Sequence, residues 1–271
     1  LIVDLLDRYL KLPDAATLGE MTAALVNFAN VTRFFETASE SIASRMATQM
    51  KVENARSWKA AARAGSRGRE ILSALREELE AGNVGARVRE IVRENASLIS
   101  SIPEEIRERI SAEISDLEER GRRPEEIAEF LRERVPELTR SRAALIARTE
   151  TSKSATALTR ARSEDLGLDW YEWATSEDAR VRPAHRLMDK VLVNWTDPPA
   201  PERLARIKST LGHYHAGNCP NCRCDSYPVL NIDDLKWPHK VYWRGTIRMY
   251  TRSKFAALSG RVGASLEVVN A

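Results

Sequence analysis

Cysteine and histidine are scarce in this chain, with three and four copies among 271 residues. Three clustered cysteines cannot build a disulfide framework, so a cross-linked secreted scaffold is excluded and reduced thiols in a cytosolic setting are expected. Long apolar runs are missing as well. No stretch of about eighteen uncharged apolar residues occurs, and no membrane span is expected. The opening segment, Leu1-Ile-Val-Asp-Leu-Leu-Asp-Arg8, has no initiator Met and mixes acids with apolar groups, unlike a signal peptide. A chain trimmed at its start is expected. No repeat of fixed period is found, which argues against a helical solenoid.

The few soft-ligand residues are concentrated. His213-Tyr-His215-Ala-Gly-Asn-Cys219-Pro-Asn-Cys222-Arg-Cys224 holds all three cysteines and two of the four histidines within twelve residues. Cys219 and Cys222 have the Cys-x-x-Cys spacing that lets two thiolates hold one tetrahedral zinc, and Cys224 with one histidine would complete the shell. His215 is the preferred fourth ligand, because it lies four residues from Cys219 in the same loop. His185 and then His213 follow. A zinc deaminase needs a His-x-Glu ahead of its Pro-Cys-x-x-Cys, and no glutamate lies near His213 or His215. A thioredoxin-like dithiol should open a helix, whereas Cys224 runs into an apparent strand. Structural zinc or a set of buried reduced thiols remain.

Charge is divided along the chain although the net is only +3. Up to Arg140 there are 22 Lys and Arg against 25 Asp and Glu, and beyond it 20 against 14. The first part carries helical periodicity. Ile91, Asn95, Leu98, Ile99 and Ile102 recur at spacings of three and four, and Ile106, Ile110, Ile114 and Leu117 continue the stripe after Pro103. Asn27 to Phe35 and Ser41 to Trp58 read as two further helices, with a loop at Ala64-Gly-Ser-Arg-Gly68 and an interruption at Gly82 to Gly85. Gly121-Arg-Arg-Pro124 marks a break and restart, and Val135-Pro136 closes that short helix.

A long helix rich in small residues runs from Leu138 to Leu166 and ends at Gly167. Strands are predicted over 169–175, 190–195 and 226–230, with a short helix from Pro201. Beyond Asn231 the bases Lys236, Lys240, Arg244, Arg248, Arg252 and Lys254 have no acid among them and are interleaved with Trp237, Tyr242, Trp243, Tyr250 and Phe255. Such a segment either packs on its own domain or a protein neighbour, or meets an anionic partner, with bases on phosphate and aromatics stacked or buried. The resulting fold class is α+β. An extended, mostly helical region covers 1–137, a small α+β domain with a Cys/His-rich loop covers 138–231, and a basic aromatic arm covers 232–271.

A second polar group consists of Arg148, Glu150, Asp178, Arg180, Arg182 and His185. Nothing in its spacing fixes a serine or cysteine beside His185, so no nucleophile is assigned and no catalytic residue is named. Pairing of Glu150 with Arg180 or Arg182 would lock helix to loop instead. Trp170, Trp173 and Trp195 are expected in the core.

Several segments, in order, carry a resemblance. They are Arg148-Thr149-Glu150, Leu166-Gly167, Trp173-Ala-Thr-Ser176-Glu-Asp178-Ala-Arg180-Val-Arg182-Pro-Ala-His185, Asn221-Cys222-Arg223-Cys224, and Pro228-Val229. Together they resemble the phage minor head proteins, the Mu F-like or head morphogenesis family, over about a third of the chain. Two departures stand out: Leu187-Met188-Asp189-Lys190 lacks the glycine usual after the histidine, and Cys219-Pro220 stands where a histidine is common. The resemblance implies a structural minor capsid protein and no enzyme, present in several copies in a virion assembled in the bacterial cytoplasm. Portal or capsid proteins are the implied partners, with packaged double-stranded DNA as a further candidate for the basic row. The alternatives are a phage-borne toxin or other enzyme built on the same module, and a zinc-containing DNA-binding module.

Overall fold

The computed structural model describes residues 18–64, 72–73, 83–120 and 124–267. The start of the chain, residues 65–68 of the expected loop and the expected break at 121–123 lie outside the described residues. Two compact units form, one from residues up to 49 together with 89–151, the other from 50–88 together with 152 onward. No helix among the described residues is long and apolar enough to cross a membrane.

The described elements begin with α1 (Leu18–Ala64), α2 (Asn83–Ser100), α3 (Ile102–Glu119) and α4 (Pro124–Asp165). Helix α1 is continuous where two helices were expected, because Glu36-Thr-Ala-Ser-Glu40 contains neither Gly nor Pro to interrupt the ladder. Helix α4 likewise runs through Pro136, the expected end of a short helix. Pro136 forfeits one ladder bond. The helix nevertheless continues, and one turn later the Thr139 hydroxyl donates to the Val135 carbonyl at 2.7 Å.

The stripe read from the sequence is the core of the first unit. Ile99, Ile102 and Ile106 are buried with Phe35, Ile42, Leu138 and Ile146. Each such side chain contributes about 1.5–3 kcal/mol on burial, which far exceeds what a surface ion pair adds. Between α2 and α3, Ser101 donates its hydroxyl to Glu105 at 2.9 Å. Glu104 and Glu105 occupy the first turn of α3, at the positive end of its dipole.

The second unit is built on a five-stranded mixed sheet. Its strands are β1 (Trp170–Thr175), β2 (Val191–Asn194), β3 (Cys224–Pro228), β4 (His239–Trp243) and β5 (Thr246–Tyr250), in the order β3-β1-β2-β4-β5. Only β2 and β4 run parallel; the other neighbours are antiparallel. Short helices α5 (Pro183–Met188) and α6 (Pro201–Leu204) interrupt the strands, and α7 (Arg252–Glu267) follows them. The α+β architecture read from the sequence is therefore present.

Period-two alternation assigns the two faces of the sheet. Tyr171, Trp173, Val191, Val193 and Tyr242 point to one side, where they pack with Cys219, Cys222 and Cys224. Trp170, Leu192 and Val241 point to the other and meet Phe255 of α7. The three expected core tryptophans, Trp170, Trp173 and Trp195, are all buried. Before the sheet, Gly167 takes a left-handed φ of 63°, and the Leu168 amide reaches back to the Ser163 carbonyl at 2.7 Å. That closure turns the chain from α4 into β1.

The segment beyond residue 231 adds a β-hairpin to the sheet. Strands β4 and β5 are joined at Arg244 and Gly245, whose φ values of 46° and 82° are both positive, the condition for a turn matched to strand twist. Trp237, Trp243 and Tyr250 pack against the Phe255 cluster, so these aromatics are used for burial.

Candidate metal centre

Three segments meet at the cysteines. Strand β3 starts at Cys224, the turn before it carries Cys219 and Cys222, and helix α5 brings His185 from between β1 and β2. The turn closes through the Cys222 amide on the Cys219 carbonyl at 3.1 Å, with Asn221 at a positive φ of 52°. Arg223 ties the same turn to β1, since its carbonyl accepts from the Ser176 amide at 2.9 Å.

The ligand atoms of His185, Cys222 and Cys224 all lie within 4.8 Å of one another, and all three residues are buried. Nδ1 of His185 stands 3.2 Å from Cys224 Sγ and 3.7 Å from Cys222 Sγ. Cys219 sits at the rim of this group, 3.7 Å from His185 Nε2, and its sulfur accepts from Arg182 Nη1 at 2.8 Å. Arg182 also donates to the Pro220 carbonyl at 2.8 Å, so one guanidinium clamps the turn.

The histidine placed among the sulfurs is thus His185, in place of the preferred His215. His215 is outside the close group of ligand atoms, and its ring lies against Tyr171 and Trp195. Its Nδ1 is 3.2 Å from the Tyr171 hydroxyl. Burial, aided by the positive charge of Arg160, lowers its pKa to about 4 and keeps it neutral. His213 is exposed, with Nδ1 2.8 Å from the Pro198 carbonyl oxygen.

The donor set fits a soft divalent cation. All three thiols are buried and free of disulfides. Cys222 is pushed toward the thiolate by the S–H groups of Cys219 and Cys224, while those two are pushed the opposite way by sharing protons with it. Three buried thiolates side by side would repel one another without a positive charge to offset them. A divalent ion would supply the missing positive charge and release the remaining protons, which is how thiolate sites couple metal to folding. His185 with Cys222 and Cys224 are the residues that would hold it, and Cys219 is next in reach.

The remaining polar residues are placed as follows. Asp178 accepts from the Arg180 amide at 2.9 Å and pairs with the Arg223 guanidinium, which lowers its pKa below the usual carboxylate range. Arg180 itself is exposed. Arg148 is exposed on α4, while Glu150 is buried there. The basic row is exposed throughout: Lys236, Lys240, Arg244, Arg248, Arg252 and Lys254 all reach solvent. Arg252 pairs with Asp233 at 2.5 Å, and Arg244 lies over the Trp243 ring at 5.5 Å.

Sequence reasoning missed two residues behind the histidine. Tyr214 Oη is 2.9 Å from His185 Nε2 and donates to both carboxylate oxygens of Glu202, at 2.8 and 2.7 Å. Glu202 is buried in α6. The only signal available was an acid at the start of a short helix and a tyrosine between two histidines, and neither announces its partner.

Comparison with known proteins agrees with the ordered motifs. A protein of Haemophilus influenzae carrying the name "Uncharacterized protein" is 31% identical over 152 residues, which cover 56% of this chain and 31% of that relative. The chain thus spans about a third of the length of the relative it matches. No solved structure matches it. Residues 105–227 match the family described as Phage Mu protein F like protein. From α3 to β3, the stretch that contains His185 and the three cysteines, this chain is similar to the phage Mu F-like proteins.

Proposed function

We propose that this protein is a structural component of a bacteriophage head, a minor capsid or head morphogenesis protein that acts by contact and catalyses no reaction. The observation that carries the reading is the family match over residues 105–227, which includes the whole Cys/His group. The helical unit supports it, because amphipathic helices with dense acid and base pairs outside supply faces for neighbours in an assembly. Capsid-related proteins are its partners, with the portal as the specific surface. The exposed row from Lys236 to Lys254 would meet packaged DNA or an acidic portal face. The cluster of His185, Cys219, Cys222 and Cys224 holds zinc as a structural staple, with no open coordination position.

The experiment is a phage or induced prophage carrying a stop codon in this gene. Mass spectrometry of purified wild-type particles should find the protein in heads. The mutant should yield heads that are fewer, malformed or poorly filled. A normal yield of infectious particles from the mutant, with no trace of the protein in wild-type heads, would overturn the reading.

A further inference from the structure

Glu202 is a buried carboxylate whose two oxygens lie 2.8 and 2.7 Å from the hydroxyl of Tyr214 and whose Oε1 lies 3.9 Å from His185 Nε2. An ionised carboxylate in such a place is costly unless it receives strong hydrogen bonds, and it can only accept them. The one proton of the Tyr214 hydroxyl is therefore committed to Glu202. Toward His185 the tyrosine oxygen has only lone pairs to offer. At 2.9 Å, it requires His185 Nε2 to carry the ring proton.

The direction of that chain has a consequence at the opposite edge of the ring. With Nε2 protonated, the free lone pair of the neutral imidazole is on Nδ1, the atom facing Cys224 Sγ at 3.2 Å and Cys222 Sγ at 3.7 Å. Trp173 fixes the ring plane from the side, with an edge contact at a centroid distance of 5.6 Å. Tyr214 is itself anchored, its amide donating to the Pro199 carbonyl at 2.9 Å, two residues before α6 begins.

We propose that Glu202 and Tyr214 are positioning residues of the metal centre, which orient His185 and set its tautomer so that Nδ1 is the coordinating atom. This rests on the zinc reading given above. Metal-bound histidines in general donate their other N–H to an outer partner, and loss of that partner typically lowers affinity about 10–100-fold. Here the partner is a hydroxyl whose own direction is imposed by a carboxylate.

The test uses the full chain loaded with zinc. Long-range proton–nitrogen NMR correlations should show His185 bound through Nδ1 with a proton on Nε2. Competition with a chromophoric chelator should show that Tyr214→Phe binds zinc about 10–100-fold more weakly. The cobalt-substituted variant should keep its thiolate charge-transfer bands, which a merely misfolded protein would lose. Glu202→Gln, whose amide oxygen still accepts from Tyr214, should recover most of the affinity lost in Glu202→Ala. Coordination through Nε2, or wild-type zinc affinity in Tyr214→Phe, would overturn the proposal. The NMR result on the wild type decides the matter even where a variant fails to fold. A wild-type chain that takes up no zinc would overturn the metal reading itself, and this one with it.

Discussion

The hydroxyl of Thr156 on α4 fills the space that a side chain at Gly217 would need. A Cβ built there would collide with Thr156 Oγ1 and lie 3.0 Å from the Ser152 carbonyl oxygen. Gly217 also has φ of 87°, and Thr156 donates to the neighbouring Ala216 carbonyl at 2.6 Å. The loop bearing His215 and Cys219 is thus pinned to the helix at a position only glycine fits. Gly217→Ala should destabilise the protein by about 2–3 kcal/mol, since backbone strain and displacement of a buried hydrogen bond act together. Urea unfolding followed by tryptophan fluorescence would measure this. An unchanged midpoint would show that the loop does not lie against Thr156.

The choice between the two buried histidines can be made with metal content alone. His185→Gln removes the nitrogen that faces Cys222 and Cys224, whereas His215→Gln removes a neutral ring bonded to Tyr171. The first should abolish binding of about one zinc per chain, and a strong chelator should then no longer lower its melting temperature. The second should keep its zinc and lose about 1 kcal/mol, the usual value of one hydrogen bond. The reverse pattern, with zinc lost in the His215 variant only, would return the ligand role to the loop histidine.

How far these features are legible in the sequence depends on whether the cause is local. The Ile99, Ile102 and Ile106 stripe is legible because helical period alone puts those residues on one face, and the structure buries all three. Strands β1 and β2 are legible from alternating or continuous large apolar residues. The β4–β5 hairpin is not, because Lys240, Arg248 and Met249 are exposed and its turn is Arg244-Gly245 in place of the favoured Asn-Gly. The cysteine spacing points to the cluster, but spacing along a loop favours His215, whereas the histidine placed beside Cys222 and Cys224 is His185. His215 is four residues from Cys219 and packs on Tyr171 and Trp195; His185 is 34 residues from it and comes back through α5. Such a return depends on the packing of Trp173 and on strand order, which no local pattern encodes.

Glu172 and His239 form a pair across the sheet, with 3.2 Å between Oε2 and Nε2. The carboxylate of Glu172 raises the His239 pKa above its ordinary 6.5, against the opposing effect of burial. The folded state then holds this proton more tightly than the unfolded one. Its stabilising contribution is complete below about pH 6.5 and is lost as pH rises through the higher folded value. Glu172→Gln should remove that loss. The difference in unfolding free energy between wild type and variant should be at most about 1 kcal/mol near pH 6 and shrink as the pH rises above 6.5. Parallel stability profiles across this range would show that the pair carries no proton linkage.

In the helical unit two candidate sources of stability meet on α3, and their magnitudes differ. Ile102 is wholly buried beside Ile99 and Ile106. Glu105, one turn on, is held by Arg142 of α4 at 2.6 and 2.7 Å, with 27% of the arginine and 38% of the glutamate side chain exposed. Burial removes Ile102 from water completely, while solvent screens the ion pair and its side chains lose freedom to form it. Ile102→Ala should therefore cost about 2–4 kcal/mol, and Glu105→Gln about 1 kcal/mol or less. The two can be compared by circular dichroism in urea, at low salt and again at about 0.5 M, where the Debye length falls to roughly 4 Å. The Glu105 effect should shrink with salt, and the Ile102 effect should remain. Equal costs for the two substitutions would mean that the ion pair, and not the isoleucine stripe, joins α3 to α4.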